Sequence, residues 1–126
     1  MSAHAARLAR LFTPAYARRI NAQIVFPTES VVVKPRELES ALSRPLHVAV
    51  YEPDRSAEYL AATLSYAIIK GHPFQYGNKR TAFFLANEYL RAMGMPGLAD
   101  GGKVGSVYKS VVEIAQRHID VASRTW

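Results

Sequence analysis

The sequence contains no cysteine at all. This absence excludes disulfide scaffolds, thiolate zinc sites and thiol nucleophiles together. Long apolar runs are also missing, since the most apolar stretches, residues 61–69 and 81–86, are far shorter than the ~20 residues of a membrane-spanning helix. The first ten residues intersperse alanine with arginine and lack the continuous apolar region of a secretion signal. We therefore expect a cytoplasmic protein without a membrane segment.

Acidic residues are scarce, because ten Asp and Glu stand against sixteen Lys and Arg and give a formal net charge of +6. This excess favours an anionic partner, either a nucleotide or a nucleic acid. The basic residues are scattered, with adjacent pairs only at residues 18–19 and 79–80, and they form no basic arm of the kind that tracks a phosphate backbone. This distribution argues against a nucleic-acid-binding helical domain.

Familiar catalytic signatures are absent as well. The sequence has no G-x-x-x-x-G-K-[ST] phosphate loop, no H-E-x-x-H zinc motif and no G-x-S-x-G nucleophile elbow. Its 126 residues and its hydrophobic content of 49% predict one packed domain over residues 1–126.

Apolar residues recur mainly at helical spacing, which predicts an all-α fold. Thr13 and Pro14 are typical of an N-cap and a first helical residue, and this helix should run to about Gln23. A second helix should begin at residues 34–35 and end at Pro45.

The second half of the chain continues the helical pattern after one short interruption. Residues 46–51 (LHVAVY) form the best strand candidate. Residues 56–71 and 82–93 predict two buried helices, with Gly71 providing a left-handed end to the first. A glycine-rich loop over residues 94–105 and a last helix over residues 106–119 should follow.

The connection between the two buried helices, GHPFQYGNKRT at residues 71–81, carries the candidate chemistry. Pro73 biases His72 towards an extended conformation on a rigid segment, where its imidazole suits general-base work. Phe74 is a candidate buried anchor, and Gly77 allows a positive φ where the next helix begins.

The start of that next helix predicts an anion site. Asn78 is a candidate N-cap, and the first main-chain amides are unpaired at the positive end of the helix dipole. Lys79 adds a point charge, and Arg80 adds a fork that fits phosphate oxygens. Each residue alone has a plain structural interpretation, as a cap, a solvated first turn or a loop histidine. Only the whole set in this order favours a nucleotide site.

The run HPFQYGNKRTA, from His72 to Ala82, resembles the motif of the Fic/Doc family, in which His, Phe, an acidic residue, a small residue, Asn, Gly or Lys, and Arg follow one another. The resemblance covers roughly residues 28–94. It implies an all-α bundle of about six helices with a short β-hairpin flap. The flap would lie near residues 46–51 and would dock the target protein as an added strand.

The resemblance also implies an activity, the transfer of AMP or phosphate from ATP to a hydroxyl side chain of a target protein. His72 would be the general base, Gly77, Asn78 and Lys79 would form the anion hole, and Arg80 would clamp a phosphate, with Phe74 as the anchor of the motif. Lys79 is the Doc type of residue, which implies γ-phosphate transfer to a translation factor and a toxin-like role. Because the chain has no inhibitory helix motif, a separate antitoxin-like protein would restrain it.

Tyr76 departs from the family pattern, in which Asp, Glu or Asn contacts the Mg²⁺ that bridges the phosphates. A neutral phenol is a poor ligand for a hard cation. Three interpretations follow. Phosphate oxygens and water suffice to hold the metal, or another carboxylate of the chain contacts it. Alternatively, the chain is a catalytically degenerate nucleotide-binding module that acts through protein interaction. The candidate carboxylates are Asp54, Glu88 and Asp100. A purely packing role, with the Tyr76 ring buried against Phe74 or Phe83, is the remaining alternative.

Overall fold

The computed structural model describes residues 2–94, and it contains five α-helices and no strand within that range. The helices are α1 (Ser2–Leu11), α2 (Pro14–Val25), α3 (Pro35–Tyr51), α4 (Ala57–Gly71) and α5 (Asn78–Ala92). The all-α prediction is confirmed for this part of the chain. The helix predicted over residues 106–119 and the loop before it lie outside the described residues.

The start of α2 follows the sequence signal. Thr13 Oγ1 accepts a hydrogen bond from the Tyr16 amide at 3.2 Å, and Pro14 occupies the first helical position, where its missing amide costs nothing. The helix continues to Val25, two residues beyond the predicted end at Gln23.

The helix α3 contradicts two predictions, because it runs through Pro45 and includes residues 46–51, which were expected to form a strand. A proline inside a helix costs ~3 kcal/mol relative to alanine, mainly through a lost hydrogen bond and a steric clash. Here a continuous apolar stripe on one face of α3 offsets that cost. Its buried members are Leu38, Ala41, Leu42, Pro45 and Ala49.

The core is centred on α4, which packs against both α3 and α5. Eight of its fifteen residues are buried, so the predicted central helix is confirmed. On the outside, α1 packs on α3 and α2 packs on α5. This arrangement places the connection between α4 and α5 next to the end of α2.

Extended backbone occurs at residues 31–33, between α2 and α3. Val32 pairs with Phe74 as an isolated antiparallel bridge, and the Gln75 amide donates to the Val31 carbonyl at 2.9 Å. The Val33 amide donates to the Pro73 carbonyl at 2.8 Å. The flap expected at residues 46–51 is therefore wrong in position, since that segment is helical and the pairing with the α4–α5 connection comes from residues 31–33.

Among residues 2–94, no helix combines the length and the apolar character that crossing a membrane requires.

Candidate functional site

The candidate site begins where α4 ends, at His72. His72 has φ 51° and ψ 52°, in the left-handed region, and its amide donates to the Ile68 carbonyl at 3.0 Å. The predicted extended conformation of His72 and the left-handed role of Gly71 are thus both wrong. Pro73 disfavours only the right-handed helical region for the residue before it, and histidine is among the residues that tolerate the left-handed one. The His72 side chain is exposed to solvent.

Phe74 and Asn78 hold the connection in one shape. The Phe74 side chain is fully buried, and its main chain is bonded on both sides to the Asn78 carboxamide. The Phe74 amide donates to Asn78 Oδ1 at 3.0 Å, and Asn78 Nδ2 donates to the Phe74 carbonyl at 2.7 Å. Asn78 is therefore the first residue of α5, and its side chain holds the loop in place through these two hydrogen bonds. It is not the N-cap that the sequence predicts, because Gly77 occupies the N-cap position.

Gly77 fits its position for two separate physical reasons. Its φ is +75°, a conformation that side chains with a Cβ rarely adopt. A Cβ at this residue would also lie 2.7 Å from Cγ1 of Val25, closer than such atoms can approach. The connection therefore passes directly over the C-terminal end of α2, with no room for a side chain.

Asn21 of α2 belongs to the site, although the sequence gave no reason to select it. Its side chain is 1% exposed, and Nδ2 donates to the Tyr76 carbonyl at 2.9 Å and to Thr81 Oγ1 at 3.1 Å. Its Oδ1 accepts a hydrogen bond from the Ser30 hydroxyl at 2.5 Å. The weak local signal was a polar residue in the buried stripe of α2, between Ile20 and Val25.

The first turn of α5 has the unpaired amides and the exposed cations from which the sequence predicts an anion site. The Thr81 amide is the first to bond within the helix, to the Gly77 carbonyl at 2.9 Å, so the amides of residues 78–80 have no partner in the helix. Lys79 and Arg80 are exposed there, and neither has a hydrogen bond or an ion pair within residues 6–94. Two cations at the positive end of a helix dipole repel that dipole, and a bound anion relieves the repulsion.

Tyr76 is 52% exposed, so the interpretation that its ring is buried against Phe74 or Phe83 is wrong. About half of the residue is therefore exposed, and its carbonyl accepts a hydrogen bond from Asn21 Nδ2. Within the described residues, no group of three or more His, Asp and Glu side chains could hold a metal ion.

The alternative carboxylates named from the sequence are far from the site. Asp54 precedes α4, whose fifteen residues span about 22 Å to the end that carries His72. Glu88 lies ten residues into α5, about 15 Å from its start. Asp100 lies outside the described residues. Glu37, which the sequence gave no reason to select, lies beside the end of α4, with Oε2 3.1 Å from where a Cβ on Gly71 would stand.

A groove of about 560 Å³ lies between α3 and α4 and ends at Gly71, beside the site. None of residues 72–80 lines it, so the groove is separate from the first turn of α5. Its wall carries both charge signs and two tyrosines. The main side chains are Lys34, Glu37, Arg44, Tyr59, Tyr66 and Lys70.

These features describe a helical protein in which an exposed histidine and the basic first turn of a helix are joined by one loop, which the Asn78–Phe74 hydrogen bonds hold in place. A model of the Fic/DOC family matches residues 4–90, more than half of the chain. The chain belongs to the Fic/DOC family. No curated protein and no solved structure matches it.

Proposed function

We propose that this protein transfers part of ATP, either the γ-phosphate or AMP, to a hydroxyl side chain of a target protein. Family membership supports a nucleotide-transferring protein modifier. The observation that carries the proposal is the double hydrogen bond between Phe74 and Asn78, which fixes the loop of His72 against the first turn of α5. Two residues of chain span at most about 7 Å, so the His72 backbone lies within that distance of Phe74.

In the proposed reaction, His72 removes the proton from the target hydroxyl. The resulting oxygen attacks phosphorus, a P–O bond forms, and the bond to ADP or to pyrophosphate breaks. The open amides of residues 78–80, together with Lys79 and Arg80, stabilise the charge that develops on the phosphate oxygens. Lys79 supports γ-phosphate transfer, because it adds positive charge where family members of the other type have glycine.

Magnesium, if it accompanies ATP, would be held by phosphate oxygens and water and would neutralise phosphate charge, because the residues of the loop offer it no carboxylate. Tyr76 offers no carboxylate for the metal, and the described residues contain no cluster that replaces one. We therefore expect a slow enzyme whose rate responds weakly to the magnesium concentration.

The target protein binds, in this proposal, at residues 31–33. The Val31 carbonyl and the Val33 amide bond to the α4–α5 connection, so the amide and carbonyl of Val32, between them, point to the opposite edge. An extended peptide of the target could pair with that edge through main-chain hydrogen bonds. The exposed Val31 and Val33 side chains would contact it. A toxin-like role on a translation factor, and restraint by an antitoxin-like protein, are extensions of the proposal that rest on the resemblance alone.

The competing function is a nucleotide-binding module that acts through protein interaction and has no turnover. Tyr76 is the observation that favours it, because the usual metal ligand is absent. Parallel lysate reactions with α-labelled and γ-labelled ATP distinguish the two functions. Label from γ-labelled ATP alone indicates phosphate transfer, and label from α-labelled ATP alone indicates AMP transfer. A thermal shift with ATP but no labelled protein would favour the binding module.

A further inference from the structure

We propose that Asn21 is the positioning residue that aligns the target-docking segment with the nucleotide site. This inference rests on the proposed function and goes beyond it, since Asn21 lies in α2, far from the motif in sequence. Its carboxamide contacts three separate parts of the site: Ser30 at the start of the docking segment, Tyr76 in the loop and Thr81 in the first turn of α5.

The chemistry of these three contacts requires an asparagine. Nδ2 carries two hydrogens, and each is used, one on the Tyr76 carbonyl and one on Thr81 Oγ1. Oδ1 carries no hydrogen and accepts from the Ser30 hydroxyl. Aspartate has the same shape and cannot donate, while leucine fills a similar volume and makes none of the three bonds. Because Asn21 is buried, the loss of one partner leaves a buried polar atom unsatisfied.

The functional consequence of these three hydrogen bonds is that the docking segment and the nucleotide site are aligned with each other. In the proposed function, the target peptide that carries the acceptor hydroxyl pairs with residues 31–33, which directly follow Ser30. The donor phosphates bind at the first turn of α5, where Thr81 lies. Asn21 fixes the distance between these two parts through one rigid side chain. Misplacing reacting groups by about 1 Å costs up to ~10²-fold in rate, while ground-state binding of either partner changes little.

Substitution can remove one hydrogen bond of Asn21 and leave the other two. Ser30→Ala removes only the bond to the docking segment and leaves the loop and α5 in place. We expect labelling at saturating ATP to fall roughly tenfold, with the Kd for ATP within about twofold of the parent value. The matched control is Ser65→Ala, which deletes a buried hydroxyl from α4, outside the site. Labelling by Ser30→Ala within twofold of the Ser65→Ala rate would overturn the inference.

Asn21→Leu tests the whole contact, with Asn87→Leu as a control for the loss of a buried helical asparagine. Amide hydrogen exchange should accelerate at residues 31–33 and at residues 76–81 in Asn21→Leu, and stay near the parent rate there in Asn87→Leu. If Asn21→Leu does not fold, the Ser30→Ala comparison still decides.

Exchange needs no enzymatic activity, so a parent protein that labels nothing refutes the proposed function while the exchange result still tests Asn21. Equal exchange in both segments for Asn21→Leu and Asn87→Leu would refute the alignment role.

Discussion

Substitution of Gly77 by alanine tests the geometry of the braced loop. Two costs add, because a left-handed backbone costs a non-glycine residue about 1–2 kcal/mol and overpacking a closed site costs about 1–3 kcal/mol. The second cost follows from the 2.7 Å between the new Cβ and Cγ1 of the buried Val25. We expect Gly77→Ala to lower the free energy of unfolding by about 2–5 kcal/mol, a large share of the ~5–15 kcal/mol of a typical domain.

Gly71→Ala is the matched control for this prediction. Gly71 is the last residue of α4, and its new Cβ would lie 3.1 Å from Oε2 and 3.3 Å from Cβ of the exposed Glu37. The carboxylate can rotate away, and the contact with Cβ needs a shift of only a few tenths of an ångström. Alanine is favoured over glycine in a helix by about 0.5–1 kcal/mol, so this variant should remain within about 1 kcal/mol of the parent.

Urea denaturation of both variants, alone and with Val25→Ala, provides the assay. Val25→Ala removes the clashing methyl and leaves the backbone cost, so Gly77→Ala should cost only about 1–2 kcal/mol in that background. A Gly77→Ala protein within about 0.5 kcal/mol of the parent would refute the close approach of α2 to the loop.

Four further predictions concern the site and the core. His72→Asn removes the base and keeps a residue that tolerates the left-handed conformation. Target labelling should therefore fall by ~10² to 10⁴ with unchanged ATP affinity. An unchanged labelling rate in a time course would exclude His72 as the base. Arg80→Ala should weaken ATP binding about tenfold or more in calorimetry, because a charge-assisted phosphate contact contributes ~1.5–3 kcal/mol; equal affinity would remove Arg80 from the site. Tyr76→Asp should make labelling steeply dependent on Mg²⁺ and change the melting temperature little, since the side chain is half exposed; a flat Mg²⁺ response would contradict the lost-ligand explanation. Burial raises the pKa of Tyr89 from 10.0 to about 12, so the neutral phenol is favoured in the fold and stability should fall as the pH rises from 10 to 12. Because no group among residues 6–94 bonds the buried Tyr89 hydroxyl, Tyr89→Phe should raise stability by about 1 kcal/mol and remove that alkaline loss in melts at several pH values. An unchanged alkaline profile would contradict this assignment.

The helices that the sequence predicted well are those whose local signals and tertiary packing agree. Thr13 and Pro14 mark the start of α2, and Thr13 makes the predicted capping bond. The apolar spacing of residues 57–71 and 78–92 matches the buried faces of α4 and α5. These segments contain no proline that would favour a helix end and no valines that would favour a strand.

The failure at α3 shows where local signals mislead. Pro45 and the valines that follow it suggest a helix end and then a strand, and each signal is a weak preference of a few kcal/mol at most. Packing of the apolar stripe against α4 extends over the whole helix and outweighs both. Leu42, Pro45 and Ala49 lie on one buried face of α3, so the helical spacing of buried residues continues through the proline.

The sequence indicated which residues make up the candidate site, but not how they are arranged. The unpaired amides at the start of α5 could be predicted from the order of residues from His72 to Arg80, because they follow from helix geometry alone. That an anion binds there stays a prediction. The role of Asn21 depends on a contact across 55 residues of sequence. The brace that Asn78 forms on Phe74 replaces the capping role that local rules favour, since a buried loop needs its own amide and carbonyl satisfied.

The most direct test of the central claim is the mass of the target's hydroxyl residues after incubation with this protein and ATP. The target is recovered from the labelled lysate reaction and digested, and its peptides are compared between parent protein and His72→Asn. We predict a phosphoryl or AMP group on one Ser, Thr or Tyr in the parent reaction, absent or greatly reduced with His72→Asn. A modified residue that appears equally with His72→Asn, or no modified residue although the parent binds ATP, would contradict the claim.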